Sequence, residues 1–176
     1  VSLGCDKNLV DTEKMIGLLT EKGYEFTDAE EEAEVVVVNT CCFIGDAKEE
    51  SINTLLQMSE LKQSGQLKAL IAAGCLAQRY KEEIQKEIPE VDAIIGTMSV
   101  SAISDALDSV LAGKPENTFM SLDSSPYVRA KRVLTTGGHF AYLKIAEGCN
   151  KNCTYCIIPY TRGNIRSRNP ENVIEE

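Results

Sequence analysis

The chain has 176 residues, 43% of them hydrophobic, enough for one well-packed domain and the beginning of another. Its formal net charge of −9 is unevenly spread: residues 1–125 carry 10 Lys and Arg against 23 Asp and Glu, or −13, whereas residues 126–176 carry 8 against 4, or +4. The acidic part argues against nucleic acid as its own partner, the basic part suits an anionic ligand, and the change of sign near Ser125–Pro126 marks a domain boundary. No apolar run approaches the ~18 residues that cross a bilayer, and no secretory signal is visible.

In chain order, "VSLGC" (1–5) reads as the end of a short strand. Residues 7–22 place Leu9, Met15, Ile16, Leu18 and Leu19 on one helical face, and Gly23 supplies a stop. "YEFTD" (24–28) reads as an edge strand, and the acidic "DAEEEAE" (28–34) as a solvated loop. "EVVVVNTC" (34–41) has no polar alternation, the pattern of a strand covered on both faces in a parallel sheet. A helix is expected over 46–63, a buried strand in "LKALIAAGC" (67–75), and a helix near 77–87. The strand "DAIIGT" (92–97) and a helix near 99–112, closed by Gly113, complete an α/β fold: an open, mostly parallel sheet flanked by helices.

Residues 114–138, with "KPEN", "SSP" and "TTGG", read as a linker. "HFAYLKIAEGC" (139–149) reads as a new strand running into a cysteine loop, and "PENVIEE" as a helix opening with Pro170 in its first turn. The first residue is Val1 rather than Met, and the final helix is cut short, so the sequence is expected to be part of a longer protein.

Seven cysteines, an odd number without a secretory signal, favour metal binding or redox chemistry in a reducing cytoplasm over a disulfide framework. Cys5, Cys41 and Cys75 each end a predicted strand, separated by 36 and 34 residues. In a parallel sheet all strand C-termini share one edge, where such folds place ligands, so the three thiols are expected to converge. One alone would read as a buried core cysteine. Gly4 and Gly74, preceding two of the three, leave room for a bulky group against the backbone. Cys42 fits better as a small apolar core residue.

Cys149, Cys153 and Cys156 form a C-x3-C-x2-C cluster in "CNKNCTYC". A structural zinc site wants four ligands and no fourth follows, while His139 reads as a surface or linker histidine. Three thiolates suit a [4Fe–4S] cluster with one iron left open. Arg162, Arg166 and Arg168 read equally well as anion contacts and as a solvated basic strand. Lys7, Asn8 and Asp11 follow Cys5 at a helix start, where the helix dipole favours an anionic cluster, and ordinary capping explains Asp6 or Asn8 as well. No Ser-His-Asp set, phosphate-cradling Gly loop or carboxylate pair stands out, so no acid–base catalytic residue is assigned.

This cysteine spacing, with an aromatic before the last Cys, resembles the cluster motif of radical S-adenosylmethionine (SAM) enzymes. The resemblance implies that Cys149, Cys153 and Cys156 hold three irons, that SAM chelates the fourth, and that Tyr155 packs near its adenine. Together with "SLGC", "NTC" and "GC" upstream, "AYLKIAEGCNKNCTYCIIPYTRGNIRSR" resembles the methylthiotransferases. It implies a second [4Fe–4S] cluster on Cys5, Cys41 and Cys75 in an amino-terminal domain (1–113), a linker (114–138), and the first βα element of a truncated radical SAM partial TIM barrel (139–176). "SLGCDKNLVDTEKM" looks more like the branch that methylthiolates the β-carbon of an aspartate in small-subunit ribosomal protein twelve than the branch acting on tRNA adenosine. The resemblance also implies an electron donor as partner. A non-catalytic iron–sulfur or zinc module is the alternative from another class.

Overall fold

The structure, a computed structural model, describes residues 1–125 and 130–176. Pro126, on the far side of the charge boundary, lies outside the described residues.

Three strands form the central sheet in the order β1 (Val35–Thr40), β2 (Ala69–Ala73), β3 (Ala93–Ile95), all parallel. The sheet is extended on both sides by single bridges, Ser2 beside Asn39 and Thr118 beside Ile95, each also parallel. The first reading of residues 1–5 therefore holds as a short stretch: the Leu3 amide donates to the Asn39 carbonyl at 3.0 Å, and the Asn39 amide to that of Val1 at 2.9 Å.

Uninterrupted apolar strands need cover on both faces, and they have it. On one face α1 (Asp6–Glu21) and α5 (Ile103–Leu111) bury Met15, Leu19, Ile103 and Leu107 against Ala69, Ile71 and Ile95. On the other, α2 (Gly45–Gln63), α3 (Gly74–Arg79) and α4 (Lys81–Glu87) bury Leu55, Met58, Leu76 and Ile84 against Val36, Val38, Leu70 and Ile94. Among the described residues no helix is long and apolar enough to cross a membrane.

Four expectations are corrected. Residues 24–28 form no strand: Phe26 is exposed, and no neighbouring strand offers Tyr24–Asp28 a ladder. The helix expected near 77–87 begins at Gly74 and is broken into α3 and α4 at Tyr80, whose ψ of 31° departs from helical geometry. The helix expected from 99 opens with a 3₁₀ turn, Val100–Ala102, before α5. Of the long strand expected over 139–149, only β4 (Ala146–Glu147) forms, paired antiparallel with β5 (Arg166–Ser167). Between and after these lie α6 (Ile158–Arg162), which the sequence did not announce, and α7 (Pro170–Glu175), which starts on its proline as expected. Residues 28–34 are largely exposed, with a single 3₁₀ turn at Glu30–Glu32.

The segment after α5 is irregular but not loose. Glu13, wholly buried on α1, accepts the Thr135 amide at 2.7 Å, the Thr135 hydroxyl at 3.0 Å and Arg132 Nε at 2.7 Å. Burial would push this carboxyl's pKa up; the Thr135 amide and the Arg132 guanidinium outweigh it and hold the pKa below the ordinary glutamate value. A depressed carboxyl contributes stability that is complete above the unfolded-state pKa, about 4.3, and is lost as pH falls through the folded one. Glu13→Gln should therefore cost about 3 kcal/mol near neutral pH by urea denaturation. It should also flatten the decline of stability below pH about 4.3.

Candidate functional site

The C-terminal edge of the sheet is where the chain leaves each strand and turns into a helix. Cys5 is the residue before α1, Cys41 follows β1 directly, and Cys75 lies in the first turn of α3 rather than at the end of a strand. Cys41 and Cys75 are buried and Cys5 is exposed. Gly4 has φ +88°, and a Cβ there would stand 2.6 Å from Cys41 Sγ. Glycine is required at that position because the Cys41 sulfur fills the space a side chain would need.

One buried side chain ties the three turns together. Asn8, with no exposed surface, donates from Nδ2 to the Leu3 carbonyl at 2.9 Å and to the Thr40 carbonyl at 3.0 Å, the backbone just before Cys5 and Cys41. Its Oδ1 lies 3.9 Å from Cys75 Sγ. Asn39 reinforces the arrangement from β1, donating to the Asn8 carbonyl and to Thr12 Oγ1, each at 2.9 Å. The capping role expected of Asn8 does not hold, because α1 has no side-chain cap. The one signal of its true role in the sequence is its place three residues after the first cysteine.

The electrostatics agree with the proximity of the thiols. Burial pushes the Cys75 thiol pKa up; the Arg162 guanidinium opposes this, and the Cys41 and Cys5 sulfurs add to it. Cys42 points into the core among Leu55, Leu70 and Leu76, where burial and then Cys75 push its pKa to about 11. Its reading as a small apolar residue stands.

Among the described residues, no three His, Cys, Asp or Glu side chains are arranged to hold a single metal ion. A single ion gathers its ligands around one point, whereas a cuboidal cluster is held at separate corners by ligands further apart. Soft thiols arriving from three turns fit the larger inorganic group. The room expected beside Gly4 and Gly74 is not free for it: Cys41 fills the first, and Asn39 and Thr40 of β1 fill the second.

The second cysteine set lies on the loop between β4 and α6. The Cys149 amide donates to the Gly163 carbonyl at 3.0 Å and the Cys156 amide to that of Cys153 at 3.0 Å, while Asn152 takes a left-handed φ of 48°. Cys153 is exposed, Cys149 and Cys156 are half-buried, and Tyr155 is 87% exposed with its ring in solvent. The chain leaving Cys156 passes over the end of the sheet. Ile157 packs against the core cluster that includes Cys42 and Cys75, and the Thr161 carbonyl accepts Thr97 Oγ1 at 2.6 Å. His139 is exposed beside the Gly137 carbonyl.

Beneath this loop lies a buried charge cluster that the sequence did not announce. Asp11 and Glu147 face Lys144 and Arg162, all four buried, with Lys7 at the rim 3.3 Å from Glu147. Burial alone would raise the Glu147 pKa; Arg162 and Lys144 reverse this and hold it at about 2. Of the three arginines weighed as solvated or anion-binding, Arg162 is bound to carboxylates, and Arg168 is buried with Nη1 on the Lys144 carbonyl at 2.8 Å. Arg166 reaches the Ser124, Asn164 and Arg162 carbonyls. Asn8→Ala would leave two buried carbonyls and one guanidinium donor without their partner, and should cost about 3 kcal/mol in urea denaturation.

Three of the chain's relatives bear the same description, "Ribosomal protein uS12 methylthiotransferase RimO". They come from Lachnoclostridium phytofermentans (59% identical over 176 residues), Clostridioides difficile (51% over 179) and Symbiobacterium thermophilum (48% over 176). The alignments take in 100%, 99% and 100% of this chain but only 40%, 39% and 36% of those proteins, so the chain spans well under half their length. Residues 1–96 match the model of "Uncharacterized protein family UPF0004". That match takes in more than half of the chain and contains Cys5, Cys41 and Cys75 with the sheet that gathers them, so the chain belongs to the UPF0004 family.

Proposed function

We propose that this chain is the amino-terminal part of a radical SAM methylthiotransferase that modifies an aspartate of ribosomal protein uS12. The observation that carries the reading is that Asn8 bonds the backbone leading into Cys5 and Cys41 and faces Cys75 Sγ, beside the element that leaves the C-x3-C-x2-C loop. Support comes from whole-chain similarity to proteins described as uS12 methylthiotransferases. In this reading residues 1–113 form the first domain, 114–138 the linker, and 139–176 the beginning of the radical SAM barrel.

Cys5, Cys41 and Cys75 would hold one [4Fe–4S] cluster, and Cys149, Cys153 and Cys156 the other. Bound there, the two clusters and SAM would supply one-electron cleavage chemistry and a sulfur for transfer. The chain's own part is to bind and to shield. Asn8 fixes the turns that present the first three sulfurs, and the core around Cys42 and Leu76 keeps water from their inner side. Tyr155, already in the open, is free to turn onto an adenine. A protein electron donor and a reducing compartment, the cytoplasm, complete the requirement.

The test uses the full-length protein reconstituted anaerobically with iron and sulfide. About eight irons per chain are expected, falling to about four when Cys5, Cys41 and Cys75 are all changed to Ala. A uS12 peptide should gain the mass of a methylthio group in place of one hydrogen, while a tRNA anticodon arm should not. Tight zinc with no response to SAM would favour a non-catalytic module instead, and modification of the tRNA would move the chain to the other branch.

A further inference from the structure

Arg162 lies in the second part of the chain, yet its side chain is committed largely to the first. Nη1 donates to Glu147 Oε2 at 2.8 Å and Asp11 Oδ2 at 3.2 Å; Nη2 donates to Asp11 Oδ2 at 3.2 Å and Asn8 Oδ1 at 2.6 Å. The Arg162 side chain is 3% exposed. Asn8 Oδ1 is thus shared: it accepts from Arg162 and faces Cys75 Sγ, while Nδ2 of the same amide holds the backbone before Cys5 and Cys41.

The charge balance of this cluster points the same way. Two carboxylates, Asp11 and Glu147, face three cations, Lys7, Lys144 and Arg162, which leaves one positive charge in excess. The four buried members balance, and the positive charge in excess is Lys7 at the partly exposed rim; of the two buried cations, Arg162 also bonds the Asn8 oxygen that faces Cys75 Sγ, where a cation complements a centre that gains negative charge. A planar fork holds two carboxylates and an amide oxygen in one fixed geometry; a lysine supplies the charge without it.

We propose that Arg162 is a positioning residue of the upstream cysteine centre, holding through Asn8 the turns that carry Cys5, Cys41 and Cys75 and raising the reduction potential of the cluster they bind. The proposal rests on the cluster assignment made under Proposed function. It makes α6, which begins two residues after Cys156, the element that completes the upstream centre, so the two cysteine sets are coupled through a side chain. A nearby cation favours the reduced cluster, which carries one more negative charge, so its loss lowers the potential.

The experiment takes the full-length protein with Cys149, Cys153 and Cys156 changed to Ala, so that only the upstream cluster forms. Its midpoint potential is read by electron paramagnetic resonance during a redox titration of the parent, Arg162→Lys and Arg162→Gln. Arg162→Gln should shift the potential to more negative values, with Arg162→Lys recovering most of the difference. An unchanged potential in Arg162→Gln at full iron content would overturn the proposal. A second measurement needs no iron: amide hydrogen exchange of the metal-free protein. Faster exchange at residues 9–11 in Arg162→Gln supports the positioning role, and unchanged protection there refutes it. If the parent takes up no cluster, the assignment under Proposed function fails, and the exchange measurement still decides whether Arg162 holds Asn8.

Discussion

The carboxamide of Asn8 is the interaction on which the arrangement of this molecule depends. A parallel sheet delivers its strand ends to one edge, but neighbouring strands are about 4.8 Å apart, so the turns beyond them begin spread out in a row. A single amide draws them in: two donors to two carbonyls, one oxygen toward the third turn. With no exposed surface, Asn8 has no water to fall back on, and its satisfaction within the protein is obligatory. The turns carrying Cys5, Cys41 and Cys75 are accordingly set by the interior beside the sheet, where Asn8 Oδ1 also accepts from Arg162.

The second part of the chain is built on a different principle from the first. The sheet and its helices bury Leu, Ile, Val and Met in the usual way. Residues 140–168 reverse the pattern: Phe140, Leu143, Ile145 and Ile165 face solvent, while Lys144, Glu147, Arg162 and Arg168 are buried. Buried ion pairs seldom add net stability over a well-packed apolar equivalent, because desolvation cancels most of the attraction. Each member is nevertheless costly to leave alone, so Asp11, Glu147, Lys144 and Arg162 hold or fail as a group.

This contrast explains what the sequence could and could not disclose. β1, β2 and β3 were legible because uninterrupted runs such as Val35–Val38 have one common explanation, a strand covered on both faces. The placement of Cys5, Cys41 and Cys75 in turns at the C-terminal edge of the sheet followed from topology, although Cys75 proved to lie one residue inside a helix. Residues 24–28 carried strand-like letters, but a strand exists only where a partner does. Residues 139–149 misled for a deeper reason: hydropathy identifies the buried side of an element only when that side is apolar, and here it is charged. Asn8 and Asp11 stood out only by their place after Cys5, and Arg162 only as a possible anion contact; their partners were not legible because they lie up to 154 positions away.

The inverted seam between the two parts has a further implication for how they fit. Oily surfaces tolerate slippage, since a methyl group meets the next methyl almost as well as the first. A guanidinium that grips Asp11, Glu147 and Asn8 at once does not, because a shift of one residue would unseat every bond together. The joint works as a key in a lock rather than as glue: it adds little adhesion, yet it admits one alignment. The loop bearing Cys149, Cys153 and Cys156 is rooted beside that joint, so the alignment it inherits is equally singular.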